Sequence, residues 1–296
     1  MRASLAVLGI FAGVVAGVAA QQQSPPQPAI PQRFAPIDLT GTWVSIVTED
    51  WRFRMVTPPK GDYASVPLTA GARKIADSWD PAKDEAEGNV CKSYGAPAIM
   101  RVPGRVRFSW QDNGNALKIE TDAGQQTRLL HFDTAQPPSG DAGWQGFSAA
   151  SWEYAGNFNP NNPGGGRGGP GGAGRGGPAP GVPPPGGALG APPPGGGPAG
   201  GRGGGPAGPQ GGTLTVVTTH IKPGYLRKNG VPYSEDTVLT EYFDRHTDPS
   251  PGGGEWFVVT TIVHDPKNLT TDFITSSHFR KEADDSKWHP VPCKAQ

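Results

Sequence analysis

The fold is decided by residues 105–132, which read RVRFSWQDNGNALKIETDAGQQTRLLHF. Every second residue from 106 to 110 is apolar, which is the pattern of a strand that buries one face. Turn signals follow at Asp112-Asn113-Gly114 and at Asp122-Ala123-Gly124, and they divide the stretch into three strands. The stretch therefore predicts an antiparallel meander.

The same style of sequence continues on both sides of this meander. Runs of strand length, rich in aromatic and β-branched residues, occupy 41–47, 147–154, 213–221, 238–246, 256–264 and 271–281. We therefore expect a mainly β fold in which the meander forms a lipocalin-like barrel, with a two-sheet sandwich as the alternative. Closure is favoured because it removes exposed strand edges. Thr69 is placed to cap one short helix that reaches Trp79.

A long insert interrupts the predicted strands. Residues 163–212 contain 25 glycines and 13 prolines, without an aromatic residue. Such a segment cannot bury enough apolar surface to offset its ordering entropy, so we expect it to be disordered. If the strands on either side of the insert pair with each other, it is an extended hairpin loop, which loop-closure entropy tolerates.

The N-terminal region predicts export. Arg2 precedes an uncharged run at 5–18, and small residues follow at 18–20, so residues 1–20 have the three parts of a signal peptide. Residues 21–36 are expected to be a flexible Gln/Pro-rich linker, and 37–296 a single β domain. No later run is apolar enough to span a bilayer. We therefore expect a secreted or periplasmic protein without a transmembrane segment after signal removal.

The two cysteines agree with export. Cys91 and Cys293 are the only cysteines in the chain, and two cysteines in an oxidising compartment are expected to form a disulfide. Two free thiols are the alternative. Their separation does not fit a zinc ribbon or a redox motif.

Several classes of function find no support in the sequence. The formal net charge is zero, so nothing indicates nucleic acid as a partner. The six histidines lack a helical pair at metal-binding spacing, and no cofactor motif is present, so we expect neither a metal nor a cofactor. Gly146-Phe147-Ser148-Ala149-Ala150 is similar to a serine-hydrolase elbow, but the final glycine is missing and the surroundings are β. No catalytic residue is assigned.

Five residues are candidates for contact with a small ligand. Trp110 lies on the apolar face of its strand, His220 continues the face of Leu214 and Val216, and His131 shares its face with Leu129. Tyr225 and Arg227 belong to a basic loop at 222–230 that suits an anionic ligand, although a solvated loop at a barrel rim is the simpler interpretation. The candidate set is therefore Trp110, His131, His220, Tyr225 and Arg227.

Short motifs along the folded part resemble a group of secreted bacterial β-rich proteins of unknown function, sometimes compared with lipocalins. The residues that carry the resemblance are Gly41, Trp43, Cys91, Gly95, Pro97, Trp144, Gly146, Ser148, Trp152, Glu153, Thr213, Leu214, Val216, Thr218, Pro232, Ser234, Thr240, Glu241, Phe243, Asp265, Pro266 and Thr270. This chain departs from the group after Glu153, where the insert replaces a tight turn. The resemblance implies an exported β-barrel and no particular activity.

Three hypotheses about function remain open. The first is an exported non-catalytic protein that binds a small apolar or amphipathic ligand in the barrel. The second is a secreted or periplasmic hydrolase that uses inward polar groups such as His131, His220 and Glu153, which must then converge in one pocket. The third is a cell-envelope interaction module that uses the insert as a tether. The sequence does not indicate an oligomeric state.

Overall fold

The computed structural model describes residues 30–133, 137, 139–155 and 211–295. Within them the strands are β1 (Gly41–Ile46), β2 (Arg105–Gln111), β3 (Ala116–Thr121), β4 (Ala123–Gly124), β5 (Thr127–His131), β6 (Phe147–Tyr154), β7 (Gly212–Thr219), β8 (Gly224–Arg227), β9 (Val231–Tyr233), β10 (Val238–Asp248), β11 (Gly254–His264), β12 (Phe273–Lys281) and β13 (Val291–Pro292). The α-helices are α1 (Trp51–Arg54), α2 (Ala70–Asp77), α3 (Pro81–Ala86) and α4 (Ala96–Ile99).

Nine of these strands close into a barrel, which confirms the predicted fold class. Their order around the barrel is β1-β12-β11-β10-β7-β6-β5-β3-β2, and β2 pairs again with β1. The alternation read from the sequence places one face of each strand inside: Val106 and Phe108 of β2 are buried, as are Leu214 and Val216 of β7. The period-two pattern thus identified the core correctly.

One strand pair departs from the antiparallel meander that the sequence predicts. Strands β5 and β6 run parallel, with Leu130 opposite Ser148 and His131 opposite Ala149. Parallel neighbours need a crossover, so the chain between them returns to the end at which β5 begins. Gly143, on this return, forms a bridge with Ile221. Side chains alternate between the two faces of a strand whichever way the strand runs. The alternation in the sequence therefore could not show that β5 and β6 are parallel.

The barrel has two different ends. Three connections meet at one end, namely residues 47–104, 220–237 and 265–272, and we call them together the cap. The four α-helices and the ribbon of β8 and β9 all belong to the cap. At the opposite end, Tyr154 of β6 pairs with Gly212 of β7, and the insert leaves the barrel there. We call this second end the insert end.

The cap has a hydrophobic core of its own. Ala72 and Ala76 of α2 pack in one cluster with Val231 and Tyr233 of β9, and this cluster continues onto Phe273 at the start of β12. Helix α2 begins where the sequence predicts, because the Thr69 hydroxyl accepts a hydrogen bond from the Ala72 amide at 3.1 Å. The other three helices have only four to six residues each and were not predicted.

Some predicted boundaries move or lie outside the described residues. The signal peptide (1–20) and residues 163–210 of the insert lie outside them. Within the linker predicted at 21–36, residues 31–34 form a turn of 3-10 helix, and the Trp152 indole donates to the Pro31 carbonyl at 3.1 Å. Gly212, assigned to the insert, is the first residue of β7. Strands β6 and β7, on either side of the insert, pair with each other, which is the arrangement in which the insert is an extended hairpin loop.

A disulfide joins Cys91 to Cys293, as predicted. It ties the C-terminal segment to the cap, and β13 of that segment also pairs with β4 in the connection between β3 and β5. Among the helices that the structure describes, none combines the length and the apolarity needed to cross a membrane.

Candidate functional site

The interior of the barrel is filled by its own side chains. Trp43, Phe108, Phe243, Phe257 and Phe279 are all at most 2 % exposed. The rings of Trp43 and Phe257 pack edge-to-face with their centroids 5.0 Å apart, and those of Phe257 and Phe279 are stacked with their centroids 4.5 Å apart. These aromatic residues serve as a core, so a ligand site has to be sought elsewhere in the described residues.

A buried ion pair lies inside the same barrel. The Arg128 guanidinium donates to the Glu241 carboxylate at 2.5 Å, to the Ser148 hydroxyl at 2.7 Å and to the Thr218 hydroxyl at 2.5 Å. All four residues are at most 4 % exposed. Three of them, Ser148, Thr218 and Glu241, carry the family resemblance. An adjoining cavity of about 10 Å³, lined in part by Arg128 and Gln126, has room for about one water.

The predicted ligand residue Trp110 lies at the insert end of the barrel. It points inward, as predicted, but its ring packs against Phe132 at 5.6 Å and Trp152 at 6.3 Å between centroids. Phe132 and Trp152 are themselves stacked at 5.4 Å. The three rings close this end of the core, far from the cap.

The two histidines do not point into the barrel, which corrects the sequence-based expectation. His131 shares the face of Leu129, and that face is outside, because Arg128 and Leu130 occupy the inner one. His220 has φ of +54°, so the alternation of β7 ends before it, and its ring contacts the Gly140 carbonyl at 2.9 Å. Glu153 lies six positions along β6 from Phe147, roughly 20 Å away at the rise of a strand. These three side chains therefore do not form one pocket.

A cleft lies on the cap, between helix α2 and the β8–β9 ribbon. Its volume is about 570 Å³. Its walls are Gly71, Ala72, Ile75, Lys92, Pro223, Gly224, Tyr225, Pro232, Tyr233, Ser234, Glu235, Lys267 and Asn268. The cleft is thus lined by apolar side chains and proline rings together with a few polar groups.

Tyr225, a predicted site residue, forms one polar corner of the cleft. Its hydroxyl donates to Asp84 at 2.8 Å, and Asp84 also forms an ion pair with Lys92. The Lys92 ammonium lies 5.4 Å from the centre of the Tyr225 ring. Burial, together with the hydrogen bond to the negatively charged Asp84, raises the pKa of Tyr225 well above its ordinary value. Tyr225 therefore stays a neutral donor.

Tyr233 forms the floor of the cleft. Its side chain is buried, and within the described residues its hydroxyl has no hydrogen-bond partner. The hydroxyl lies between Gly95 and Gly224, where a Cβ on either glycine would approach it to 2.0 Å and 2.5 Å. Both positions therefore need glycine for space.

The opposite wall is held by Asp265. This buried carboxylate accepts hydrogen bonds from the Ser234 amide at 2.7 Å, the Ser234 hydroxyl at 2.8 Å and the Asn268 side chain at 2.9 Å. Burial opposes its charge, but the hydrogen bonds outweigh burial and hold the pKa of Asp265 below its ordinary value. Lys267 forms ion pairs with Glu235 and Asp236 at the rim. The base of this wall is therefore held by hydrogen bonds to Asp265, and its rim carries charged side chains.

Arg227, the last predicted site residue, lies on the other side of β8. It is 4 % exposed, and its guanidinium carbon lies 4.1 Å from the centre of the Phe53 ring. It adjoins Arg54 and Arg101. Sequence reasoning missed both, because Arg54 ends a four-residue helix and Arg101 follows another, and helices this short leave no periodic pattern. Tyr225 and Arg227 therefore belong to two neighbouring sites, and Trp110, His131 and His220 belong to neither.

The part of the chain that the structure describes holds no group of three or more His, Cys, Asp or Glu side chains suited to a metal ion. No protein-family model matches the chain, and neither a curated protein nor a solved structure is significantly similar to it. The family resemblance therefore stays a prediction, and the function has to be argued from the geometry.

Proposed function

We propose that this protein is a non-catalytic binding protein that holds a small amphipathic ligand in the cap cleft. The single observation that carries the proposal is the cleft itself, a concavity of about 570 Å³ lined by Ile75, Pro223 and Pro232 together with Lys92 and Lys267. Ligand pockets in proteins typically have volumes of about 300–1,000 Å³, with apolar walls and few polar groups.

The chemistry of the walls favours an amphipathic ligand. Ile75, Pro223 and Pro232 offer apolar surface, and Ile75 is half exposed on the helix. The ammonium groups of Lys92 and Lys267 stand at two places on the wall, each already paired with a carboxylate. A ligand with an apolar body and a polar or acidic head matches this arrangement, because its head can join those ion pairs while its body covers the proline and isoleucine surface.

We also propose that the protein functions in a secreted or periplasmic location. The disulfide between Cys91 and Cys293 supports this proposal, because structural disulfides persist in oxidising compartments and are rare in the cytosol. The signal peptide expected at residues 1–20 is consistent with the same location.

The test uses anilinonaphthalene sulfonate, a fluorescent amphipathic anion, titrated against the purified mature protein. Gly71→Trp is designed to fill the cleft, because Gly71 lines it and a Cβ at this position meets only the Thr69 hydroxyl, at 3.8 Å. Ile75→Glu replaces an apolar side chain in the wall of the cleft by a charged one. Each variant should weaken binding about tenfold, the loss expected for roughly 1.4 kcal/mol of apolar contact.

Ile274→Glu is the matched control, because Ile274 is an exposed isoleucine on the outer face of β12 and lies outside the cleft. It should bind the probe like the wild type. Failure of the wild type to bind, or equal affinity in Ile75→Glu and Ile274→Glu, would contradict the proposal.

A further inference from the structure

Three arginines converge beneath the β8–β9 ribbon, on the side opposite the cleft. Arg54 ends helix α1, Arg101 follows helix α4, and Arg227 ends strand β8. Each is at most 6 % exposed. We call these three residues the arginine cluster. It shares no lining residue with the cleft, so its function can be tested separately.

Part of each guanidinium already has a partner. Arg54 pairs with Glu49 and donates through Nε to the Arg101 carbonyl at 2.9 Å. Arg101 pairs with Asp50 at 3.0 Å. Arg227 donates through Nη1 to the Ala64 carbonyl at 2.7 Å. These contacts fix the orientation of the three planar groups.

Four further nitrogens of the cluster have no hydrogen-bond partner within the described residues. They are Nη2 of Arg54, Nη1 of Arg101, and Nε and Nη2 of Arg227. Each is a buried donor on a cation, and a buried donor left without an acceptor costs more stability on a charged group than on a neutral one. Four such donors on three neighbouring side chains indicate an acceptor that is held there in common.

The local charge is only partly compensated. The three arginines and the nearby Arg52 carry four positive charges, whereas Glu49, Asp50 and Asp62 supply three negative ones, so one positive charge is in excess. Burial, followed by repulsion from Arg101, lowers the pKa of Arg227 to about 10. A water would satisfy donors without balancing charge, whereas an anion would do both.

The space limits the size of that anion. A cavity of about 20 Å³ is lined by the three arginines together with Phe53, Leu226 and Lys228. One water occupies about 10–15 Å³ by this measure. The cavity therefore suits one monatomic ion, and the five-atom oxyanions are too large without movement of the side chains.

We propose that the arginine cluster binds a single halide-sized anion, chloride being the abundant example, which joins α1, the Arg101 turn and β8. The ion accepts hydrogen bonds from free guanidinium nitrogens of the cluster and offsets the excess positive charge beneath the ribbon. The site differs from the cleft in ligand class, because three guanidinium groups line it and none lines the cleft.

The first test compares thermal unfolding in sodium chloride and in sodium gluconate at equal sodium concentration. A ligand that binds only the folded state raises the melting temperature as the ligand concentration rises. The melting temperature should therefore increase with the concentration of sodium chloride, and it should increase less with the same concentration of sodium gluconate. Arg227→Met should abolish the chloride-dependent part. Arg280→Met, which removes an exposed arginine at the insert end, should retain it. Equal melting in both salts, or an intact increment in Arg227→Met, would overturn the proposal.

The second test does not depend on the folding of a variant. Wild-type crystals grown in sodium bromide should show an anomalous peak in contact with the guanidinium nitrogens of at least two of the three arginines. A cluster without a peak would mean that water alone fills the cavity, which overturns the proposal. A melting increment produced by sulfate but not by chloride would overturn the halide assignment.

Discussion

Replacing Arg128 by methionine tests whether the barrel interior is a finished core. The change keeps an unbranched side chain and removes the guanidinium that contacts Glu241, Ser148 and Thr218. The two hydroxyls already form a hydrogen bond with each other at 2.9 Å and can keep it after the change. Glu241, which is fully buried, is then left as a charge without its cation.

The magnitude follows from that burial. Removing one partner of a buried ion pair typically costs about 3–5 kcal/mol, because the remaining charge is uncompensated. Domains are stable by about 5–15 kcal/mol in total, so Arg128→Met should lose about a fifth or more of the free energy of unfolding. The double variant with Glu241→Leu replaces both charges by apolar groups and should return to within about 1 kcal/mol of the wild type.

Equilibrium urea unfolding measures this difference, provided that the slope against urea is the same for all variants. A double-mutant cycle then gives the coupling between the two positions, expected to be several kcal/mol in favour of the pair. A loss below about 1 kcal/mol in Arg128→Met would refute the reasoning, because it would mean that water reaches Glu241 and that the interior is open.

Three further predictions concern the cleft and the insert. Gly95→Ala places a Cβ 2.0 Å from the Tyr233 hydroxyl, so calorimetry should show a loss of about 1–3 kcal/mol; adding Tyr233→Phe should restore part of it, and no restoration would contradict the clash. Folding keeps Tyr225 protonated while the unfolded chain ionises near pH 10, so stability should begin to fall near pH 10 and keep falling as the pH rises further, less steeply in Tyr225→Phe; equal slopes would exclude this contribution. Excising residues 164–210 shortens a loop between paired strands and should leave the melting temperature unchanged or raise it by roughly 5 °C at most, whereas a clear drop would show that the insert supports the fold.

Periodicity predicted the barrel strands because burial of one face makes every second residue of a strand apolar. The same alternation contained a signal for the ion pair. Glu241 stands between Leu239 and Phe243 on the buried face of β10, and Arg128 precedes Leu130 on the buried face of β5. A charge on an apolar face is a readable signal of a buried partner. The sequence could not identify which strands pair, so neither the parallel neighbours nor the convergence of Arg128 on Glu241 could be derived.

The site was harder to predict than the fold. The basic loop led to Tyr225 and Arg227, and both lie in the cap, but on opposite sides of β8. Arg54 ends one four-residue helix and Arg101 follows another, and both helices are too short for a period to relate a residue to its neighbours in space. His220 was assigned to the wrong side because its left-handed backbone ends the alternation that the sequence appeared to extend.

The most direct test is to map where an amphipathic molecule binds. A fatty acid carrying a photoreactive diazirine is irradiated with the wild-type protein, and the adducts are located by mass spectrometry. Labelling should concentrate on peptides that contain Ile75, Tyr225 and Pro232. Labelling of Phe108, Phe243 or Phe257, inside the barrel, would contradict the assignment of the ligand to the cap.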